Sequence, residues 1–149
     1  MKFEHKVVVD APREKVLEFL GDFNRAAYCL PGLEELTELE PDIFEGRVKV
    51  RLGPLGLNVS GRAKVQRGSA DDPWRVQGEG RDRRVGTAMT ASVEARLAEI
   101  GPDKTEMTLD ANVQFSGRLA ELGQPLIKRK ADSYVKDFTE NLRKAISAS

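Results

Sequence analysis

Between Phe44 and Leu52 the chain alternates without a break. Phe44, Gly46, Val48, Val50 and Leu52 hold one parity, and Glu45, Arg47, Lys49 and Arg51 hold the other. A two-residue period of this kind describes a β-strand with one dry face and one wet face. The pattern returns in Leu57, Val59, Gly61, Ala63 and Val65, in Trp74 and Val76, in Met89, Ala91, Val93, Ala95 and Leu97, and in Met107, Leu109, Ala111, Val113 and Phe115. Phe3, His5, Val7 and Val9 give a first strand ahead of them. The runs follow one another too closely for crossover helices, which predicts four or five antiparallel strands in succession after the first. Turns fall at Gly53-Pro54-Leu55-Gly56, Asp71-Asp72-Pro73 and Gly101-Pro102-Asp103.

A sheet with one apolar face needs a cover, and only one segment can supply it. From Gly117 the apolar period changes to about 3.6, through Leu119, Leu122, Leu126, Ala131, Tyr134, Phe138, Leu142 and Ile146. Pro125 interrupts that run, so either the helix kinks there or a short turn at 118 to 122 precedes a helix beginning at Pro125. Two short helices are predicted after the first strand. One starts at Pro12 and carries Val16, Phe19 and Leu20; the other is capped by Asp22 and carries Phe23, Ala26 and Ala27. Leu33, Leu36 and Leu39 then lead into a turn at Glu40-Pro41-Asp42, and Gly78-Glu79-Gly80 reads as a loop. The fold class is α+β: a curved antiparallel sheet wrapped around a long C-terminal helix, in a single domain over residues 1–149.

Composition excludes several functions. With 24 basic and 24 acidic residues the chain carries no overall charge to attract nucleic acid. One cysteine, Cys29, rules out an internal disulfide and a multi-cysteine metal site. The start Met1-Lys2-Phe3-Glu4-His5 has no signal-peptide apolar run, and no stretch reaches transmembrane length. A cytoplasmic protein is expected, or one peripheral to the inner face of the cell membrane, with membrane contact at most peripheral.

The inner parity contains unexpectedly small residues: Gly46, Gly61, Ala91 and Ala111 lie mid-strand where a filled core would use larger ones. An empty cavity of ~300 Å³ would cost roughly 7 kcal/mol, a large share of a domain's stability of roughly 5–15 kcal/mol. Either an apolar ligand occupies the space, or the glycines are bend points of a strongly coiled sheet; both can hold together. The inward positions Leu52, Leu57, Met89, Ala91, Met107, Leu109, Leu122 and Leu126 are the expected wall of a ligand site. Phe23, Tyr28 and Trp74 are either aromatics at its mouth or packed side chains.

Little catalytic chemistry is visible. His5 is the single histidine, without the spacing of a metal site or triad, and reads as a rim or core residue. Cys29 beside a turn reads as a small buried hydrophobe. Two basic clusters, Arg81/Arg83/Arg84 and Lys128-Arg129-Lys130, are either solvated surface charge or a collar at the mouth that meets lipid headgroups or an acidic partner.

The element order resembles the START-like (SRPBCC, Bet v 1-like, polyketide cyclase) helix-grip fold. Within it, Asp10-Ala11-Pro12-Arg13-Glu14-Lys15-Val16, Cys29-Leu30-Pro31-Gly32, Phe44-Glu45-Gly46-Arg47-Val48-Lys49-Val50, Leu52-Gly53-Pro54, Gly78-Glu79-Gly80 and Gly117-Arg118-Leu119-Ala120-Glu121-Leu122-Gly123 are similar to the G-subunit family of carbon monoxide dehydrogenase. The resemblance implies a non-enzymatic accessory protein associated with the membrane attachment of a molybdenum-containing hydroxylase. It also implies a bound isoprenoid quinone such as menaquinone, or another lipid, and no covalent cofactor or metal. The sequence ends at Ser149 without the tail some relatives use at the membrane, and Pro125 replaces an ordinary helix former. Two other readings stay open: a cyclase- or hydratase-like enzyme using cavity carboxylates or Tyr134, and a docking module with no ligand.

Overall fold

A computed structural model of the chain describes residues 1–148. β1 (Lys2–Val9) is followed by α1 (Arg13–Gly21) and α2 (Phe23–Ala27), then by β2 (Leu33–Glu40), β3 (Ile43–Leu52), β4 (Leu55–Gln66), β5 (Trp74–Asp82), β6 (Thr87–Gly101) and β7 (Lys104–Gly117). A short 3-10 helix, Arg118–Leu122, leads to α3 (Gln124–Ser147). All seven strands form one antiparallel sheet in the order β1-β7-β6-β5-β4-β3-β2. The predicted parity holds along it: Val9, Phe44, Leu52, Leu57, Val65, Trp74, Leu97 and Met107 are buried, and their neighbours on the other parity face solvent.

Two elements differ from the pattern read in the sequence. Leu33–Glu40 is a strand, hidden because its leucines recur every three residues. Register shifts between Leu33 and Glu35 and between Glu38 and Glu40 account for that spacing, since each bulge adds a residue to the period of two. Gly78-Glu79-Gly80 lies inside β5, paired with β4 on one side and β6 on the other. It is not a loop.

Of the two geometries open at Pro125, the chain adopts the second. The 3-10 segment ends at Gly123 and Pro125 stands in the first turn of α3, where its missing N–H interrupts no helical bond. Asp22 occupies the position before α2, but its side chain makes no cap; its carbonyl accepts from Arg25 and Ala26 instead.

The helix crosses the concave face obliquely, approaching β1 on one side and β3 on the other. Its C-terminal half closes one end of the interior, where Leu142 and Ile146 meet Val9, Val16, Phe19, Leu97 and Met107. Leu17 and Leu20 of α1 join this cluster to a second one around Phe44, Val65 and Trp74. A third cluster seals the opposite end, where Leu119 packs against Leu52 and Leu57.

That second end depends on a buried carboxylate. Asp82, 5% exposed, accepts from the backbone N–H groups of Asn58 (2.8 Å), Arg84 (3.1 Å) and Val85 (3.4 Å), with the Arg84 guanidinium 3.6 Å away. The bond from Asn58 chiefly holds its pKa below the ordinary value of 3.8, against the opposing effect of burial. A depressed carboxylate stabilises the fold above its unfolded pKa and ceases to do so as pH falls through the folded value. Asp82→Ala should therefore cost about 2–3 kcal/mol at neutral pH. The deficit relative to wild type should shrink below about pH 4, which urea melts across that range will measure.

Candidate ligand-binding site

Between the sealed ends lies a band of inward wall outside all three buried clusters. Cross-strand register places Ala63 of β4 beside Gly78 of β5, and Gly78 beside Ala91 of β6, so three small inward residues form one row. Val113 continues the row on β7. The next row holds Val93, Ala111 and Phe3. Each of these residues keeps partial solvent access although it lies on the inward parity, and none belongs to the three buried clusters. On α3, Ala131, Tyr134 and Val135 are also half-buried. A close-packed interior would leave such residues inaccessible.

Not every small residue makes space. A Cβ on Gly46 would stand 2.7 Å from the Glu35 carbonyl oxygen, and one on Gly61 would collide with the carbonyl of Glu79. Those two glycines let neighbouring strands approach where the sheet coils. At Gly78 the nearest atoms to an added Cβ are the Arg62 oxygen at 3.4 Å and the Ala63 Cβ at 4.0 Å, which is ordinary contact. The two meanings of an inward glycine therefore separate by position.

The expected wall residues divide accordingly. Met89 and Ala91 lie half-buried on the inward row of β6, and Leu109 is half-buried beside the first cluster. Met107 is packed inside that cluster at 1% exposure. Leu52 and Leu57 are buried in the seal around Leu119, with Leu122 against them, and Leu126 lies half-buried near Gly53. Of the three aromatics, Phe23 packs against Phe44 with the rings tilted and their centroids 4.6 Å apart, and Trp74 is buried beneath the Arg67 guanidinium. Tyr28 is exposed. The Trp74 indole N–H finds no acceptor among the described residues, a cost its buried ring area offsets.

Polar groups flank the helix on both seams. His5 points inward from the edge strand β1 and its Nε2 lies 2.7 Å from Asp132 Oδ1 of α3. On the other seam the Tyr134 hydroxyl donates to the Lys49 carbonyl of β3 at 3.5 Å, and burial raises its pKa. Further along, Asn141 donates to the carbonyl of Cys29 at 3.0 Å, which ties α3 to the Cys-Leu-Pro-Gly turn. Cys29 itself is buried, and desolvation raises its pKa against the pull of Arg25. Sequence spacing gave no sign of the His5–Asp132 pair, whose members stand 127 residues apart. Among the described residues no group of acidic, histidine or cysteine side chains is arranged to hold a metal ion.

Open depressions of 560 and 580 Å³ lie on the convex face, among Arg62, Arg81 and Arg83 and among Lys49, Arg51 and Arg84. Their charged, solvent-open linings do not suit an apolar guest.

A seven-stranded antiparallel sheet curled around one long helix, with an apolar concave face, defines a START-like helix-grip domain. The solved structures agree on the fold. A conserved protein from Geobacillus kaustophilus superposes with a TM-score of 0.91 at 17% identity, covering 100% of this chain and 97% of that one. A START superfamily protein from Mycobacterium smegmatis gives 0.76 at 15% identity, covering 99% and 97%. The Zhui aromatase/cyclase from Streptomyces sp. R1128 gives 0.69 at 17% identity, covering 99% and 93%. The family model for the carbon monoxide dehydrogenase G-subunit (CoxG) matches residues 6–147, and the chain belongs to that family. No curated protein matches it in sequence. Among the described residues no helix is long and apolar enough to cross a membrane.

Proposed function

We propose that the protein is a non-enzymatic carrier that holds an apolar lipid, of the isoprenoid quinone kind, between sheet and α3. It would serve as accessory factor to a molybdenum-containing hydroxylase at the cytoplasmic face of the membrane. One observation carries the reading: the Ala63–Gly78–Ala91 row stays accessible between two sealed ends. An apolar tail laid along that row gains about 25 cal/mol for each Å² it removes from water. The family's description as a carbon monoxide dehydrogenase subunit supports the choice of partner.

A second reading has one observation in its favour. His5 of β1 with Asp132 on one seam of α3, and Tyr134 on the other, supply an imidazole, a carboxylate and a phenol that could move protons in a cyclase-type reaction. A single experiment separates the two. Native mass spectrometry after mild purification, with menaquinone added, should show one retained lipid of unchanged mass and a raised melting temperature. Absence of any lipophilic adduct and of any melting shift would end the carrier reading. Conversion of a bound guest to a product of different mass, lost in His5→Gln, would favour the enzyme.

A further inference from the structure

We infer that the Tyr134 hydroxyl orients the guest by donating a hydrogen bond to a carbonyl oxygen at the guest's polar end, where α3 meets β3. The inference rests on the carrier reading and names the group that would tell a quinone ring from a bare hydrocarbon. A tail held by apolar burial alone can slide along its wall. One donor at a fixed place gives it a register.

Tyr134 is singled out by the poor quality of its hydrogen bond. Other polar side chains of the inward face are engaged at ordinary distances: His5 Nε2 lies 2.7 Å from Asp132, and the hydroxyls of Thr87 and Thr105 donate at 2.8 Å to the carbonyls of Ser116 and Ala11. Asp82 accepts from three backbone N–H groups. The Tyr134 hydroxyl reaches the Lys49 carbonyl only at 3.5 Å, outside the range of about 2.5–3.0 Å for a good O–H···O bond. A carbonyl oxygen at a better distance displaces that contact. Burial raises the phenol's pKa, so the proton to be donated stays in place at neutral pH. The Trp74 indole N–H also lacks an acceptor among the described residues, but its ring is enclosed in the second cluster with Gly68 against it.

The fold makes room for a guest at this seam. β2 begins at Leu33 opposite Val48, so the edge of β3 beyond that pair has no neighbouring strand. There the Lys49 N–H donates to the Gly32 carbonyl at 2.9 Å, and the Lys49 carbonyl is left to Tyr134. Tyr28 and Leu30, exposed on the turn that leads to Gly32, give the seam an apolar lip. At almost the same level of the helix, Asp132 ties α3 to His5 on the opposite edge of the sheet. A line across the strand register from His5 to Lys49 passes over Ala111 and Ala91 and then between Gly78 and Gly80. A polar end held at Tyr134 therefore leaves its tail to run over the small residues of the inward rows. Lys130, with Nζ 5.3 Å from the centre of the Tyr134 ring, sets a cation over the ring face and steadies its plane.

The test pairs two isoprenoid probes, menaquinone and squalene, the second a hydrocarbon without oxygen. Tyr134→Phe should weaken menaquinone binding by roughly two- to ten-fold, the worth of one hydrogen bond, and leave squalene binding unchanged. Infrared spectra of bound menaquinone should show a carbonyl stretch lowered in wild type and restored in Tyr134→Phe, a signature that packing of the ring does not produce. Equal loss for both lipids, unaltered menaquinone affinity, or a lowered carbonyl band that survives in Tyr134→Phe would each overturn the inference. Should His5→Gln abolish the band that Tyr134→Phe keeps, the donor is the imidazole and the inference fails. Squalene also separates this inference from the reading beneath it. Wild type that binds neither lipid refutes carriage and the inference together. Wild type that binds squalene but not menaquinone, or binds both as Tyr134→Phe does, refutes the donor alone.

Discussion

Gly61→Ala should lower the melting temperature by about 8 °C, and Gly78→Ala should leave it unchanged or raise it slightly. The two residues are inward glycines of one sheet, although the sequence reads Gly61 as mid-strand and Gly78 as part of a loop. The added methyl at Gly61 has nowhere to go, because the Glu79 carbonyl and the Gly80 Cα of the paired strand already occupy its place. Backbone cannot step aside as a flexible side chain does. A forced shift of two central strands costs about 2–4 kcal/mol, and in a domain of this size each kcal/mol moves the transition by about 2–4 °C. At Gly78 the same methyl meets only ordinary contacts and removes some unfolded-state entropy, worth roughly 0.4–1 kcal/mol in its favour. Thermal melts of both variants decide the matter. Equal and large losses would mean that the Gly78 site is filled.

Ala91→Phe addresses the space itself, and its largest effect should be on binding. A phenyl ring set on the middle of the Ala63–Gly78–Ala91 row takes wall that a guest would otherwise cover. Loss of roughly 120 Å² of apolar contact forfeits about 3 kcal/mol, on the order of a hundred-fold in Kd. The free protein should change by less than about 1 kcal/mol, because the ring enters accessible space and displaces nothing. In a close-packed interior the same substitution would cost about 1–3 kcal/mol or more. Paired measurement of lipid affinity and unliganded stability thus reports on occupancy and on emptiness separately. Destabilisation with unchanged lipid affinity would place the guest elsewhere.

Much of this architecture was legible because the side-chain period in a strand is two, and β3, β4, β6 and β7 obey it. β2 was not, since its two bulges convert a period of two into leucines spaced by three. The far half of β5 was not, since Gly78 and Gly80 resemble a turn until β4 and β6 pair with them. The site was legible as a face but not as a volume. Parity brought Leu52, Leu57, Met107 and Ala91 to one side alike, and only the crossing of α3 and the packing of α1 and the Arg118–Leu122 segment separate sealed positions from open ones. Gly78 and Ala63 escaped notice as a pair because their adjacency depends on register between strands. His5 and Asp132 meet only when the last helix returns over the first strand.

The most direct measurement is a crystal structure of the protein grown with menaquinone. The account predicts electron density for the isoprenoid tail against Ala63, Gly78 and Ala91, beneath Tyr134 and Val135. Side chains of α3 packed down onto that row with no room for a guest, or menaquinone bound only in the outer grooves, would contradict it.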